Sequence, residues 1–326
     1  MNIYSGTSNR PLAEKICNIL TENLPGFVNK LDNLIIEKFS DGEILPRFVN
    51  ESIRGKEIFF IQTTTTHDAI WELLLVIDAA KRAECSKFTL IAPDMGYSRQ
   101  DKNDHLRSSI GARVMADTLV NAGVNRVITI DLHAKQIQGF YPNTVPVVHL
   151  NGNKIFTRYI KSLRLKDMCF TAPDLGASHR NRDAAKPFGD EVYLAIIDKR
   201  RVKPNEIESM RLIGKEEVAG RNVILVDDLA DTLGTLCKAA KLCMDNGALS
   251  VRGFATHAVL SGKAMENLDN SVLTEFVVSD TIDTSHLSSS KLRVITSADL
   301  IADILIALNK GTSISEINEM HLIKED

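Results

Sequence analysis

The chain has 326 residues, 44% hydrophobic and 25% charged, which excludes an intrinsically disordered chain and gives room for two domains of ordinary size. Its formal net charge is −3, from 39 basic and 42 acidic residues, so nothing general draws it to nucleic acid or an anionic membrane. Five dispersed cysteines without a Cys-x-x-Cys pair, no signal-peptide pattern and an apolar stretch at 73–80 broken by Asp78 give the expectation of a cytoplasmic protein with reduced thiols and no membrane span.

Apolar runs of strand length alternate with helical patterns along the whole chain. In the first half strands are expected at 2–4, 34–38, 58–62, 88–91 and 127–130, with helices at 12–20, 69–82 and 110–121. In the second half strands fit 169–172, 192–197, 223–226, 251–255 and 276–278, and helices fit 182–187, 236–246, 263–268 and 298–308. The alternation implies an α/β fold of mainly parallel sheets flanked by helices, divided near 147–152 into domains 1–149 and 150–326. Ala92-Pro93-Asp94-Met95-Gly96 is echoed by Ala172-Pro173-Asp174-Leu175-Gly176. The echo reads as a duplicated α/β unit with equivalent strand ends at a shared cleft, although Pro-Asp-x-Gly is also common turn chemistry.

Polar motifs sit where such a fold builds sites, beyond the carboxyl ends of strands. Phe39-Ser40-Asp41-Gly42-Glu43 puts an aromatic face beside two carboxylates on a turn, able to stack on a base and accept from an exocyclic amine. Tyr97-Ser98-Arg99-Gln100-Asp101-Lys102 adds a cationic loop, and Asp131-Leu132-His133 closes the strand at 127–130 with groups that could serve a Mg²⁺ site. Asp198-Lys199-Arg200-Arg201 follows the strand at 192–197 and suits polyphosphate, if it is more than solvated surface. There is no Walker A sequence, no Gly-x-Gly-x-x-Gly and no Gly-x-Ser-x-Gly elbow.

The most informative stretch is 223–235. Val223-Ile224-Leu225-Val226 makes a buried strand, Asp227-Asp228 stand at its end, and Asp231-Thr232-Leu233-Gly234-Thr235 open a helix. A helix N-terminus with open N–H groups takes a phosphate, while the acid pair accepts from ribose hydroxyls or binds Mg²⁺ through water. A solvated acidic turn with Asp231-Thr232 as a plain helix cap is the structural alternative.

Together these blocks resemble the ribose-phosphate pyrophosphokinase family, in the family's order, from Ser5-Gly6-Thr7-Ser8 to about Ser315. Asp131 through Phe140, Thr256-His257 and Ser261-Gly262 belong to the same match. The resemblance implies two phosphoribosyltransferase-like domains, a Mg²⁺ requirement, and transfer of the pyrophosphoryl group of ATP to the 1-hydroxyl of ribose 5-phosphate. By position it implies that Phe39, Asp41 and Glu43 hold adenine, reaching across from a neighbouring subunit of a homo-oligomer, usually a hexamer. Arg99 and Gln100 would contact ATP; His133 and Asp174 would hold metal; Lys199 and Arg201 would be catalytic cations on a mobile loop. Asp227 and Asp228 would bind the ribose hydroxyls, and Asp231, Thr232, Leu233, Gly234 and Thr235 the 5-phosphate.

A non-catalytic associated subunit of the same fold is the alternative, but such relatives interrupt the catalytic loop and 198–201 is continuous here. A simple phosphoribosyltransferase would not explain the repeated Pro-Asp-x-Gly unit. This chain departs from the family pattern at Leu233 and Ala177, where relatives carry Gly, at Tyr141-Pro142-Asn143, which lacks an aspartate, and at Asp104, His105, Ser108 and Ser109. Because a β-carbon resists positive φ, Leu233 is expected in an ordinary backbone region.

Overall fold

A computed structural model of the chain describes residues 1–24, 26, 31–49, 52–103, 105–189, 192–203 and 206–319, without the side chains of 200–203, 206–208, 318 and 319. Two compact units emerge: Met1–Asn151 with Thr281–Asp283 and Ser297–Asn318, and Gly152–Asp280 with Thr284–Thr296.

The first unit runs β1 (Asn2–Ser5), α1 (Arg10–Asn23), β2 (Leu34–Lys38), β3 (Ile44–Phe48), β4 (Glu57–Ile61), α2 (His67–Arg82), β5 (Lys87–Ala92), α3 (Gly111–Ala122), β6 (Arg126–Ile130) and β7 (Val147–Leu150). Five strands form one parallel sheet in the order β1-β4-β5-β6-β7. Phe60, Phe88, Leu90 and Val127 are fully buried, as expected of strands covered on both faces. β2 and β3 make a separate antiparallel hairpin with Ile36 opposite Pro46. Side chains mark the helix starts: Asn9 accepts from the Leu12 amide and Thr66 from that of Ala69.

The second unit runs α4 (Asn153–Ser162), β8 (Met168–Ala172), α5 (Ser178–Ala185), β9 (Tyr193–Lys203), β10 (Glu206–Ile213), α6 (Lys215–Val218), β11 (Asn222–Ala230), α7 (Gly234–Asp245), β12 (Ser250–Ala258), α8 (Ala264–Asp269), β13 (Glu275–Ser279) and β14 (Leu292–Ile295). Its sheet has the order β10-β9-β8-β11-β12-β13-β14, parallel except for the β9–β10 hairpin. Val223, Leu225, Val251 and Phe276 of the sheet pack with Leu236, Ala239 and Cys243 of α7 in one buried cluster.

Helix α9 (Ala298–Lys310), assigned from sequence to the second domain, belongs to the first unit, where it packs on α1. Leu12, Ile16 and Leu20 on one helix and Ile301, Ile304 and Leu305 on the other are buried, matched stripes at helical spacing. No described helix is long and apolar enough to cross a membrane.

Candidate functional site

The carboxyl edge of the second sheet gathers the chemistry. β9, β8 and β11 are neighbours, so residues at their ends meet whatever their separation in sequence. Asp174 lies just beyond β8; Lys199 of β9 donates to its Oδ2 at 3.0 Å, and the Ala177 amide donates to its Oδ1 at 2.9 Å. The Lys199 side chain is only 6% exposed, so the charge is held in place and not waving in solvent. Burial acts to raise the Asp174 carboxyl, but the Lys199 charge and hydrogen bond with the Ala177 amide hold it below the usual carboxylate range.

Asp227 and Asp228 share Arg180 of α5, which lies 3.0 Å from Asp228 Oδ1 and 3.6 Å from Asp227 Oδ1. One guanidinium cannot fully balance two adjacent carboxylates. Desolvation, then the Asp228 charge, push the Asp227 carboxyl up to about 8, with Arg180 opposing. Asn181, buried one residue on from Arg180, donates to the Val226 carbonyl at 2.8 Å and accepts from its amide at 3.3 Å. This clamp ties α5 to β11 immediately before the acid pair.

Two expectations change here. The strand does not end before the acids: β11 continues through them, with Asp227 opposite Ala255 and Leu229 opposite His257. The Asp198–Arg201 run is not a loop after a strand either, since β9 continues and Lys199 faces Met210 of β10. Hairpin pairing with β10 extends a segment whose charge alone reads as a loop. The Arg201 side chain lies outside the described residues.

The loop from Asp231 leads into α7 without any side-chain cap. The capping alternative is therefore not realised, and the helix opens without a side chain on its first amides, the kind of terminus that can hold an anion. Leu233 corrects the expectation most sharply: it adopts φ 61°, ψ −5°, in the left-handed region. For a residue with a β-carbon this costs about 1–2 kcal/mol. The side chain is only 4% exposed within the apolar cluster, and burying a leucine contributes about 1.5–3 kcal/mol, enough to offset the strain. A left-handed residue followed by a helical one makes successive N–H groups converge, a nest for an anion. Around the loop, Ser261 donates to Asp231 Oδ1 at 2.5 Å, and Asn267 Nδ2 donates to the Thr232 carbonyl at 2.8 Å.

The remaining residues lie in the first unit. Phe39, Asp41 and Glu43 form the tip of the β2–β3 hairpin, closed by Phe39 N–H to Glu43 O at 2.8 Å and Glu43 N–H to Asp41 Oδ1 at 3.0 Å. Phe39 is 51% exposed, an aromatic face kept out of the core. Arg99 and Gln100 follow β5 on an exposed loop entered through Tyr97, itself left-handed at φ 62°. His133 is exposed beyond β6. The two loops are joined because Gln136 donates to the buried Asp101 at 2.9 Å. His149 accepts from the Leu132 amide at 3.0 Å, which fixes its Nε2 as the unprotonated nitrogen.

Thus Asp174, Lys199, Asp227 and Asp228 come together in the second unit, and the loops of Arg99, Gln100 and His133 in the first. Arg180, Asn181 and Asn267 were missed in the sequence, and Ser261 was named only as part of the family match, without a role. The Ser178–Arg182 run of polar residues at the start of α5 was the available signal for the first two; Asn267 carried none. Among the described residues no three His, Cys, Asp or Glu side chains converge as a metal cage.

Residues 1–123 match the family model of the N-terminal domain of ribose phosphate pyrophosphokinase, and 182–318 that of the phosphoribosyl synthetase-associated domain. A ribose-phosphate pyrophosphokinase from Porphyromonas gingivalis is 43% identical over 318 residues, 97% of both chains. The chain belongs to the ribose-phosphate pyrophosphokinase family, a family of enzymes. The counterpart from Vibrio cholerae is 40% identical over 97% of this chain and 98% of its own. The crystal structure of phosphoribosylpyrophosphate synthetase from Mycobacterium smegmatis superposes with a TM-score of 0.85 at 34% identity, covering 95% of this chain and 99% of that one. Fold and family therefore agree along the whole length.

Proposed function

We propose that this chain is a cytoplasmic ribose-phosphate diphosphokinase that transfers the β,γ-pyrophosphoryl group of ATP to the 1-hydroxyl of ribose 5-phosphate, giving phosphoribosyl pyrophosphate and AMP. The observation that carries the reading is the uncapped start of α7, placed directly after an acid pair on the central strand. Amides of Leu233 to Thr235 take the 5-phosphate, with Asp231 and Thr232 lining the loop. Asp227 and Asp228 accept from the ribose hydroxyls. Phe39, Asp41 and Glu43 hold adenine, supplied by a neighbouring copy in a homo-oligomer, a hexamer by family resemblance; the exposed Phe39 at the tip of its hairpin suits that role. Arg99 and Gln100 take the nucleotide.

The sugar hydroxyl forms its bond to the β-phosphorus as the bond from that phosphorus to the α-phosphate oxygen breaks, and AMP departs. Such a step needs in-line placement and charge neutralisation more than covalent help. Lys199 and Arg201 supply cations where charge builds, and Lys199 is already anchored on Asp174. When bound, Mg²⁺ screens the polyphosphate and draws charge from the reacting centre. Asp174 of the second unit would offer such an ion an oxygen donor and, separately, His133 of the first an imidazole, which suits a hard cation that keeps its waters and arrives on phosphate. The catalytic reading is preferred to a non-catalytic subunit because the Asp198–Arg201 run is uninterrupted and Lys199 is held at 3.0 Å on Asp174. Incubating purified protein with ATP, ribose 5-phosphate and Mg²⁺ tests it: AMP and phosphoribosyl pyrophosphate should form in equal amounts, and no product, or ADP in place of AMP, contradicts it.

A further inference from the structure

Asn267 lies on α8, five residues beyond the Ser261-Gly262 pair and outside the blocks that carry the family resemblance, yet its side chain reaches the phosphate loop. Its Nδ2 donates to the Thr232 carbonyl at 2.8 Å. A planar trans peptide holds its C=O and the following N–H on opposite sides. A donor fixed on the Thr232 carbonyl therefore turns the Leu233 N–H to the opposite side of the chain. The next peptide is fixed independently, because the Leu233 carbonyl accepts from the Cys237 amide at 2.9 Å as the first bond of α7. Between them Leu233 is left-handed at φ 61°, the geometry that lets neighbouring amides converge on one anion.

Asn267 is itself well anchored. Its amide donates to the Lys263 carbonyl at 2.9 Å, and its carbonyl accepts from Cys237 Sγ at 3.4 Å. The residue that aims the loop is thus tied to the helix whose N-terminus the loop opens.

We infer that Asn267 is a positioning residue for the phosphate of ribose 5-phosphate, turning the Thr232–Leu233 peptide so that its N–H faces the anion. The inference rests on the reading of the loop proposed above and adds what orients it. Without the side chain, the peptide can rotate, and one of the converging amides is lost. An aspartate would set an oxygen against the Thr232 carbonyl and drive the peptide the wrong way. A histidine can offer Nδ1–H from nearly the position of the asparagine Nδ2.

The test is calorimetry of ribose 5-phosphate and of ATP binding to the full chain, with steady-state rates and melting temperatures, for Asn267→Ala, Asn267→Asp, Asn267→His and, as a site control, Asp227→Asn. Asn267→Ala should weaken ribose 5-phosphate about five- to tenfold, the scale of one hydrogen bond, and raise its KM in step. ATP affinity, kcat at saturation and melting temperature should hold, Asn267→Asp should bind more weakly than Asn267→Ala, and Asn267→His should recover part of the loss. If Asp227→Asn weakens the sugar phosphate while Asn267→Ala and Asn267→Asp stay within twofold of wild type, the positioning role is overturned. A parallel fall in ATP affinity and melting temperature overturns it too, by showing a general structural role. If Asp227→Asn leaves ribose 5-phosphate affinity unchanged, the reading of the site fails first, and the role of Asn267 with it.

Discussion

The two Ala-Pro-Asp-x-Gly turns use almost the same residues to opposite ends. In the first unit the turn is closed. Thr64 donates its amide to the Asp94 carbonyl at 3.2 Å, and its hydroxyl accepts from the Gly96 amide at 2.9 Å. Met95 is buried at 5% exposure, and a β-carbon on Gly96 would sit 2.1 Å from the Thr64 carbonyl oxygen. In the second unit the turn is open. Leu175 is 59% exposed, the Asp174 side chain is 36% exposed, and a β-carbon on Gly176 would meet only Asp174 Oδ1, at 3.3 Å. The difference comes from the neighbouring element, which brings a threonine to one turn and Lys199 to the other. A turn sequence fixes the shape of the chain; what packs beside it decides whether the turn is buried in the fold or stays open, as around Asp174.

The largest expected consequence of this contrast is at Lys199. Lys199→Ala should lower kcat about a thousandfold while ribose 5-phosphate affinity stays near normal, since the cation acts where charge develops. Kinetics and calorimetry on the same preparation check this, and equal losses of rate and sugar-phosphate affinity would contradict it.

Adding a methyl group to each turn separates them next. Gly96→Ala forces a backbone carbonyl aside and should cost about 3 kcal/mol by denaturant unfolding. Gly176→Ala should stay within about 0.5 kcal/mol in the same experiment. Similar losses at both positions would erase the distinction.

A smaller effect is expected at Asp227. Asp227→Asn should weaken ribose 5-phosphate about tenfold, because an amide nitrogen replaces one of the two carboxyl oxygens that meet the ribose hydroxyls. Its ligand-free stability should show the reverse sign. A carboxyl raised from 3.8 to about 8 in the folded state holds a proton that the unfolded chain releases, so wild-type stability declines as pH rises between those values. Asp227→Asn should lack that decline and melt above wild type at pH 8. Calorimetric melting of both proteins across this range checks it; parallel curves would contradict it.

The smallest expected effect is at Phe39. Half exposed on its hairpin, it should be replaceable by alanine with no change in melting temperature, while the KM for ATP rises severalfold. A drop in melting temperature would instead assign it to packing.

Much of the fold was legible because the buried parallel strands are continuous apolar runs, as in Ile58–Ile61 or Val223–Val226. Segments with mixed character were not. β3 reads Ile44-Leu45-Pro46-Arg47-Phe48, with a proline and an arginine in five residues, and β14 has Arg293 in its middle. β10 was hidden because it exists only through pairing with the charged end of β9. The stripe of α9 announced an amphipathic helix, but nothing local says which sheet it covers. The acid pair and loop of the candidate site were legible from residue type and order. The backbone of Leu233 was not, because the local preference against positive φ is outweighed by burial of a side chain among residues distant in sequence. Arg180 and Asn267 matter through partners 48 and 35 residues away, a relation no local pattern carries.

Amide hydrogen exchange with and without ribose 5-phosphate tests the central claim most directly, since it reads both turns and the loop in one sample. Slowed exchange is predicted at Leu233, Gly234 and Thr235 when the sugar phosphate is added, with no change across Asp94 to Tyr97. Protection confined to the first unit, or unchanged exchange at the start of α7 under saturating ligand, would contradict the account.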